Sequence, residues 1–202
     1  MKLFASPASP FVRKALIVLQ ETGLRAQTEV ILVSGTVLDP GSMPLDENPL
    51  GKIPTLLLND GRALYDSRVI TRFLDETAQS GLYPDDDRKW ECLTLEALAD
   101  GICDAAVLCV YEKRLRPESH WYDPWTDGQW AKVARALDRA EAAHLPFLDG
   151  DFTVAHAGMV AALGYLDFRH ADRDWRQGHD GLARWFEGIS ARPSIASTAP
   201  TG

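Results

Sequence analysis

Residues 2–19 read KLFASPASPFVRKALIVL, and this stretch determines how the fold begins. Its first four residues predict a short strand. Ser9-Pro10 then predicts a helix start, because a hydroxyl caps a helix and proline suits its first position. Apolar residues follow at helical spacing on one face: Phe11, Ala15, Val18 and Leu19.

The next elements follow from turn and strand signals. Residues 29–33 are rich in β-branched side chains and predict a second strand, followed by an irregular stretch that contains a loop or a short helix. Residues 55–58 and 62–65 predict a hairpin, and Asp66-Ser67 predicts a helix cap. The predicted order is therefore βαβ, a loop or short helix, then ββα.

Proline and three successive aspartates at residues 84–87 interrupt these patterns, and every later periodic segment is helical. We predict four helices there, at residues 88–115, 130–148, 153–170 and 182–191. Pro117 and Pro124 are expected in the loop after the first of them. The predicted fold class is an α/β domain over residues 1–80 followed by an all-α domain over residues 88–202.

Composition excludes several classes of protein. A formal net charge of −8 argues against a nucleic-acid-binding protein, because phosphates are held mainly by clustered basic residues. Two prolines break the apolar N-terminal stretch, so we expect neither a signal peptide nor a membrane span. Three cysteines without CxxC spacing predict reduced thiols, no metal site and a cytoplasmic location.

Three segments carry a family resemblance. SPASPFVRK at residues 6–14, NPLGKIPTL at 48–56 and LYDS at 64–67 resemble, in order and spacing, the glutathione-site segments of glutathione S-transferases. The resemblance covers nearly the whole chain and is strongest to a bacterial branch of small cytosolic members. It implies a thioredoxin-like first domain, glutathione as co-substrate, a small electrophile as second substrate, a homodimer and a role in detoxification.

Ser9 is the predicted catalytic residue. The nucleophile in such a reaction is the thiolate, and a hydroxyl at the positive end of a helix stabilises it. Ser6 is the competing hydroxyl. Arg13, one helical turn after Ser9, either adds positive potential or lies on the surface. Some relatives have cysteine before Pro-Phe; serine cannot form a mixed disulfide, which disfavours disulfide exchange and favours conjugation or simple binding.

The resemblance also implies how glutathione is held. Ile53 and Pro54 would form a cis peptide bond whose flanking backbone binds the cysteinyl unit as an added strand. Lys52 either meets the glycyl carboxylate or is a solvated charge. Asp66 and Ser67 are expected to bind the γ-glutamyl ammonium and carboxylate, although an ordinary helix cap explains them equally well in isolation.

The second-substrate site is less clearly marked. Cys103, Val107 and Tyr111 recur every four residues, so this stripe either faces the cleft between the domains or packs in the core. Thr153-Val-Ala-His156 departs from the Ser/Thr-x-x-Asp capping box of many relatives, and we expect the reciprocal side-chain bond to be lost.

Three functions remain open at this point. The first is conjugation of the glutathione thiolate to an electrophile that is largely apolar. The second is a binding or interaction module that keeps the fold without useful turnover. The third is glutathione-dependent peroxidase or dehalogenase activity, because these reactions use the same thiolate.

Overall fold

The computed structural model describes residues 1–202 and contains one four-stranded sheet and eight helices. The strands are β1 (Lys2–Ala5), β2 (Glu29–Leu32), β3 (Thr55–Leu57) and β4 (Ala63–Leu64). The helices are α1 (Pro10–Glu21), α2 (Ser67–Ala78), α3 (Lys89–Leu115), α4 (Asp123–Ala143), α5 (Leu145–Leu148), α6 (Val154–Arg169), α7 (Asp180–Ser190) and α8 (Pro193–Ala196).

The sheet is mixed and has the order β2-β1-β3-β4. β1 pairs in parallel with β2, and the connection between them is α1. β3 lies antiparallel to β1 on its other side, with Leu3 opposite Leu56, and β4 completes the hairpin. All strands precede residue 80, and α3 to α8 follow residue 88, so the predicted fold class of an α/β part followed by an all-α part is confirmed.

A single hydrophobic core runs through both parts of the chain. Its members include Leu3 and Leu56 from the sheet and Leu95 and Leu163 from α3 and α6, all fully buried. α1 packs against α6 as well as against α2, which places α1 beside the helical part. None of the helices combines the length and apolar character needed to span a membrane.

The second predicted helix of the C-terminal part was placed wrongly. It was expected at residues 130–148, but α4 begins at Asp123 and ends at Ala143. Pro124, expected in a loop, lies in the first turn of α4, where the missing N–H costs nothing. A separate helix, α5, follows because Pro146 cannot donate to the carbonyl four residues earlier.

The start of α6 corrects a second expectation. Nδ1 of His156 accepts a hydrogen bond from the Thr153 N–H at 3.1 Å, so Nε2 carries the proton and donates to the Leu148 carbonyl at 3.1 Å. The reciprocal bond of the capping box is therefore present, and the expectation that histidine would lose it was wrong. A neutral imidazole replaces the carboxylate as acceptor and also satisfies a second backbone group.

This arrangement makes stability depend on pH. Burial lowers the pKa of His156 from 6.5 to about 4. Between these values the unfolded chain binds the proton more readily than the folded one, so we expect stability to fall as pH decreases through this window. The loss is on the order of 3 kcal/mol from this residue.

Urea unfolding at several pH values tests this expectation. His156→Gln should flatten the pH dependence, because an amide oxygen accepts the same capping bond and does not titrate. His120→Gln, at an exposed histidine, is the matched control and should leave the dependence unchanged. Equal pH dependence in the wild type and His156→Gln would contradict the assignment.

Candidate active site

Ser9 lies at the N-terminus of α1, as predicted. Its backbone is extended, with φ −86° and ψ 124°, and its Oγ accepts a hydrogen bond from the Val12 N–H at 3.3 Å. The chain supplies no acceptor for the hydroxyl proton of Ser9. The hydroxyl can therefore donate to an anion while it caps the helix. Ser6 precedes the helix in the turn, where its carbonyl accepts from the Ser9 N–H at 3.1 Å.

The loop before β3 presents an unpaired backbone edge. The Ile53-Pro54 bond is cis, which confirms that expectation. Ile53 forms no backbone hydrogen bond within the chain, so its N–H and carbonyl are free for an extended peptide. The buried Asn48 side chain fixes this loop by donating to the Lys52 carbonyl at 2.9 Å and to Thr55 Oγ1 at 3.1 Å.

Asp66 and Ser67 begin α2. Asp66 is the capping residue, and its Oδ1 accepts from the Arg68 N–H at 3.0 Å. Its carboxylate is nevertheless 60% exposed, which leaves it accessible to a cation. Ser67 is only 2% exposed, so Asp66 is the more accessible member of the pair. Asp66 therefore acts as an ordinary helix cap, and its exposed carboxylate can still bind a ligand.

The sequence analysis missed a buried ion-pair network behind these groups. Nζ of Lys14 in α1 lies 2.7 Å and 2.8 Å from the two carboxylate oxygens of Asp100 and 3.2 Å from Oε1 of Glu96, both in α3. Nε of Arg68 in α2 lies 3.4 Å from Oδ2 of the same Asp100. One carboxylate on α3 therefore joins the helix that begins after Ser9 to the helix that follows Asp66.

A signal for this network was present in the sequence. Glu96 and Asp100 are like charges four residues apart on one helix face, a spacing that destabilises an isolated helix unless cations offset it. Asp104 continues the same face. Desolvation and the charge of Asp100 raise the pKa of Asp104, and the neighbouring Lys52 and Arg68 oppose this rise. Lys52 itself is exposed and lies close enough to act on Asp104.

The three residues of the predicted second-substrate stripe differ in burial. Cys103 is 2% exposed and belongs to the hydrophobic core, and burial raises the pKa of its thiol. Val107 and Tyr111 are half-buried and offer the accessible part of the stripe. The structure contains no group of three or more histidine, cysteine, aspartate or glutamate residues arranged to hold a metal ion.

Comparison with known proteins gives matches in both parts of the chain. Residues 8–77 match the glutathione S-transferase N-terminal domain, and residues 123–188 match the glutathione S-transferase C-terminal domain. The chain is 31% identical to the uncharacterised GST-like protein YibF of Escherichia coli K12, over 99% of this chain and 98% of that protein.

Two crystal structures of a glutathione transferase family member from Pseudomonas fluorescens Pf-5 share 45% sequence identity with this chain. One has bound glutathione, with a TM-score of 0.97 and coverage of 100% of this chain and 99% of that one. The other has bound S-(propanoic acid)-glutathione, with a TM-score of 0.90 and full coverage of both chains. Taken with the matches to both domains, this similarity over the full length shows that the chain belongs to the glutathione S-transferase family.

Proposed function

We propose that this protein conjugates glutathione to a small, largely apolar electrophile. The observation that carries the proposal is the Ser9 hydroxyl, which caps α1 and retains a free proton. An alkyl thiol with a pKa of about 8.5 is only a few per cent ionised at pH 7. A hydrogen bond from Ser9 and the N-terminus of α1 both favour the thiolate.

The reaction needs no group beyond the two substrates. The thiol proton leaves to solvent, and the thiolate sulfur then attacks the electrophilic carbon and forms a carbon–sulfur bond. With an aryl halide, the halide departs with the bonding electrons. Ser9 lowers the barrier by stabilising the anion before attack.

Glutathione would lie across the first domain, which we assign to residues 1–80. The unpaired backbone of Ile53, beside Pro54, suits its cysteinyl unit. The exposed Asp66 carboxylate suits the γ-glutamyl ammonium, with Ser67 at the adjoining helix start. The exposed Lys52 suits the glycyl carboxylate. The glutathione bound by the Pseudomonas protein supports glutathione as the ligand.

The second substrate would contact the helical domain, which we assign to residues 88–202. Val107 and Tyr111 provide an apolar, half-buried wall, with Cys103 behind them. The Pseudomonas protein also binds a glutathione that carries a substituent on its sulfur. This supports a site in which the sulfur of glutathione has room for a second group. The three buried free cysteines suit a reducing compartment such as the cytoplasm, and a detoxifying role fits the chemistry.

Turnover with a chloronitrobenzene tests the proposal. We expect steady conjugation above the rate in solution, with saturation in glutathione. A module that only binds glutathione would leave the rate unchanged or lower it by sequestering the thiol. A parallel assay with peroxide and alkyl halide substrates separates conjugation of aryl halides from the other thiolate reactions.

The Asp66 assignment gives a separate prediction. Asp66→Asn should weaken glutathione binding by roughly 1.5–3 kcal/mol, because it removes the charge that meets the ammonium. Asparagine keeps the capping bond to the Arg68 N–H, so helix stability should change little. Calorimetry gives the affinity, and Asp60→Asn, at another exposed capping-type carboxylate, is the control. Unchanged affinity would contradict the γ-glutamyl assignment.

We also propose a homodimer. A cavity of about 490 Å³ lies at the surface between α2 and α3 and is lined in part by Leu64, Phe73 and Leu93. The adjoining Val69 is 45% exposed, and Trp90 on α3 is 73% exposed. A second copy of the chain, related by a two-fold axis, would cover this face. Sedimentation should show twice the chain mass of 22.3 kDa. A monomer at micromolar concentration would rule this out.

A further inference from the structure

Arg13 is buried between α1 and α6 and not on the surface. Its side chain is only 6% exposed, and Nη1 donates to the Val160 carbonyl at 3.2 Å. Gly164 on α6 provides the space, because a Cβ at that position would overlap Nη1 of Arg13. The packing of two helices thus encloses a guanidinium group.

The charge of Arg13 has no direct partner. No carboxylate lies within 4.0 Å of its guanidinium. Its Nε is the one buried side-chain nitrogen or oxygen in the chain without a hydrogen-bond partner. Asp167 acts on it from a distance, but the Asp167 carboxylate is bound by Arg176 and by the indole N–H of Trp175. Burial lowers the pKa of Arg13 to about 10, so it stays charged at neutral pH.

The buried or half-buried carboxylates around α1 are already satisfied by other partners. The carboxylates of Glu96 and Asp100 on α3 pair with Lys14, and Asp100 also pairs with Arg68 on α2. At the far end of α1, Glu21 pairs with Arg192. Asp75 of α2 accepts backbone and hydroxyl hydrogen bonds. No carboxylate is therefore left to pair directly with Arg13, which remains a buried cation near the start of α1.

Helix geometry places this charge on the side of α1 that carries Ser9. Arg13 follows Ser9 by four residues, so the two lie on the same face of α1. Side chains in a helix lean toward its N-terminus, which brings the guanidinium toward Ser9. Burying an unpaired charge is costly, and such groups are concentrated at sites that use their charge.

We propose that the buried, unpaired guanidinium of Arg13 stabilises the thiolate of glutathione bound at Ser9. The proposal rests on the proposed function, in which the sulfur lies at the start of α1. Arg13 acts through its field and does not touch the sulfur, so it is a positioning residue. Its field adds to that of the helix N-terminus.

Titration of the bound thiol tests this role. Ultraviolet absorbance of the thiolate is followed against pH in glutathione-saturated protein. Arg13→Met keeps a long side chain and removes the charge, and it should raise the thiol pKa by about one unit. A unit charge about 10 Å away at an effective dielectric of about 20 produces a shift of that size. Arg13→Lys retains the charge and should restore most of the shift.

A variant that is expected to change the thiol pKa in the opposite direction controls for structural damage. Asp167→Asn removes the negative charge that opposes Arg13, so it should lower the thiol pKa. A merely structural role would move the pKa in the same direction in both variants or in neither. Arg25→Gln, in the short turn that follows α1, should leave the titration unchanged. If Arg13→Met does not fold, Asp167→Asn and Arg13→Lys decide the question.

The outcomes separate the two proposals. A wild-type titration that is unchanged in Arg13→Met and Asp167→Asn would overturn the role of Arg13 and leave the proposed function intact. A rise in thiol pKa in Asp167→Asn would also overturn it. Failure of the wild-type protein to bind glutathione would overturn the proposed function and, with it, this inference.

Discussion

Ser9→Ala is expected to lower turnover near neutral pH by about tenfold or more and to leave glutathione affinity nearly unchanged. In the proposed mechanism the hydroxyl of Ser9 donates a stronger hydrogen bond to the thiolate than to the thiol, so we expect its loss to raise the pKa of the bound thiol. One pKa unit corresponds to about 1.4 kcal/mol, which a charge-assisted hydrogen bond supplies. The contacts proposed at Ile53 and Asp66 remain, and they carry the affinity.

The helix cap requires a matched control. Ser9 Oγ also accepts from the Val12 N–H, so alanine removes a cap worth about 1 kcal/mol of stability. Ser9→Gly removes the same hydroxyl but costs the cap only a few tenths of a kcal/mol. Both variants should lose the same turnover if thiolate stabilisation is the cause. A loss in Ser9→Ala alone would assign the effect to the cap.

Two further variants locate the hydroxyl. Ser6→Ala should leave turnover and the thiol pKa unchanged, since Ser6 lies in the turn before the helix. Ser9→Cys should allow a mixed disulfide with glutathione and some disulfide exchange. Identical thiol titrations in the wild type and Ser9→Ala, with a shift in Ser6→Ala, would move the catalytic role to Ser6.

Lys14→Met is expected to destabilise the fold by about 3–5 kcal/mol. The Lys14 side chain is 1% exposed, and its ammonium is the direct partner of Glu96 and Asp100, which are also buried. Removing the ammonium leaves two carboxylates in the interior with Arg68 as the remaining cation. Urea unfolding measures the difference in free energy.

An exposed pair provides the comparison. Nζ of Lys89 lies 2.8 Å from Oδ1 of Asp85, close to the 2.7 Å between Lys14 and Asp100, but the side chains of Lys89 and Asp85 are 38% and 91% exposed. Lys89→Met should therefore cost at most about 1 kcal/mol. Equal losses of unfolding free energy in the two variants would show that the buried network stabilises the contact between α1 and α3 no more than an exposed ion pair does.

Local patterns explain why much of the fold was predictable. The strands at Lys2–Ala5 and Glu29–Leu32 and the helix starts after Ser9 and at Ser67 agree with expectation within a residue. Caps, turns and apolar periodicity act over a few residues, so the sequence contains their causes directly. The short helix α8 and the division between α4 and α5 were missed, because each depends on how proline is placed in a first turn.

The positions of the candidate site residues in the fold were predictable to the same degree. Ser9, Ile53, Asp66 and Ser67 lie at helix starts or in a loop whose motifs are contiguous in sequence. His156 was misjudged because its second bond goes to Leu148, a carbonyl outside the motif. Whether a residue satisfies a cap depends on such neighbours as well as on its type.

The sequence by itself determined the order of the elements, the family and the positions of the motifs that bear chemistry. Tertiary structure decided the burial and the partners of the two adjacent cations Arg13 and Lys14. In the sequence they are ordinary charges of one helix. Lys14 meets carboxylates 82 and 86 residues away, and Arg13 contacts a carbonyl 147 residues away. The energy of a buried charge depends on the groups that surround it, and only the packing of α1 against α3 and α6 brings those groups together.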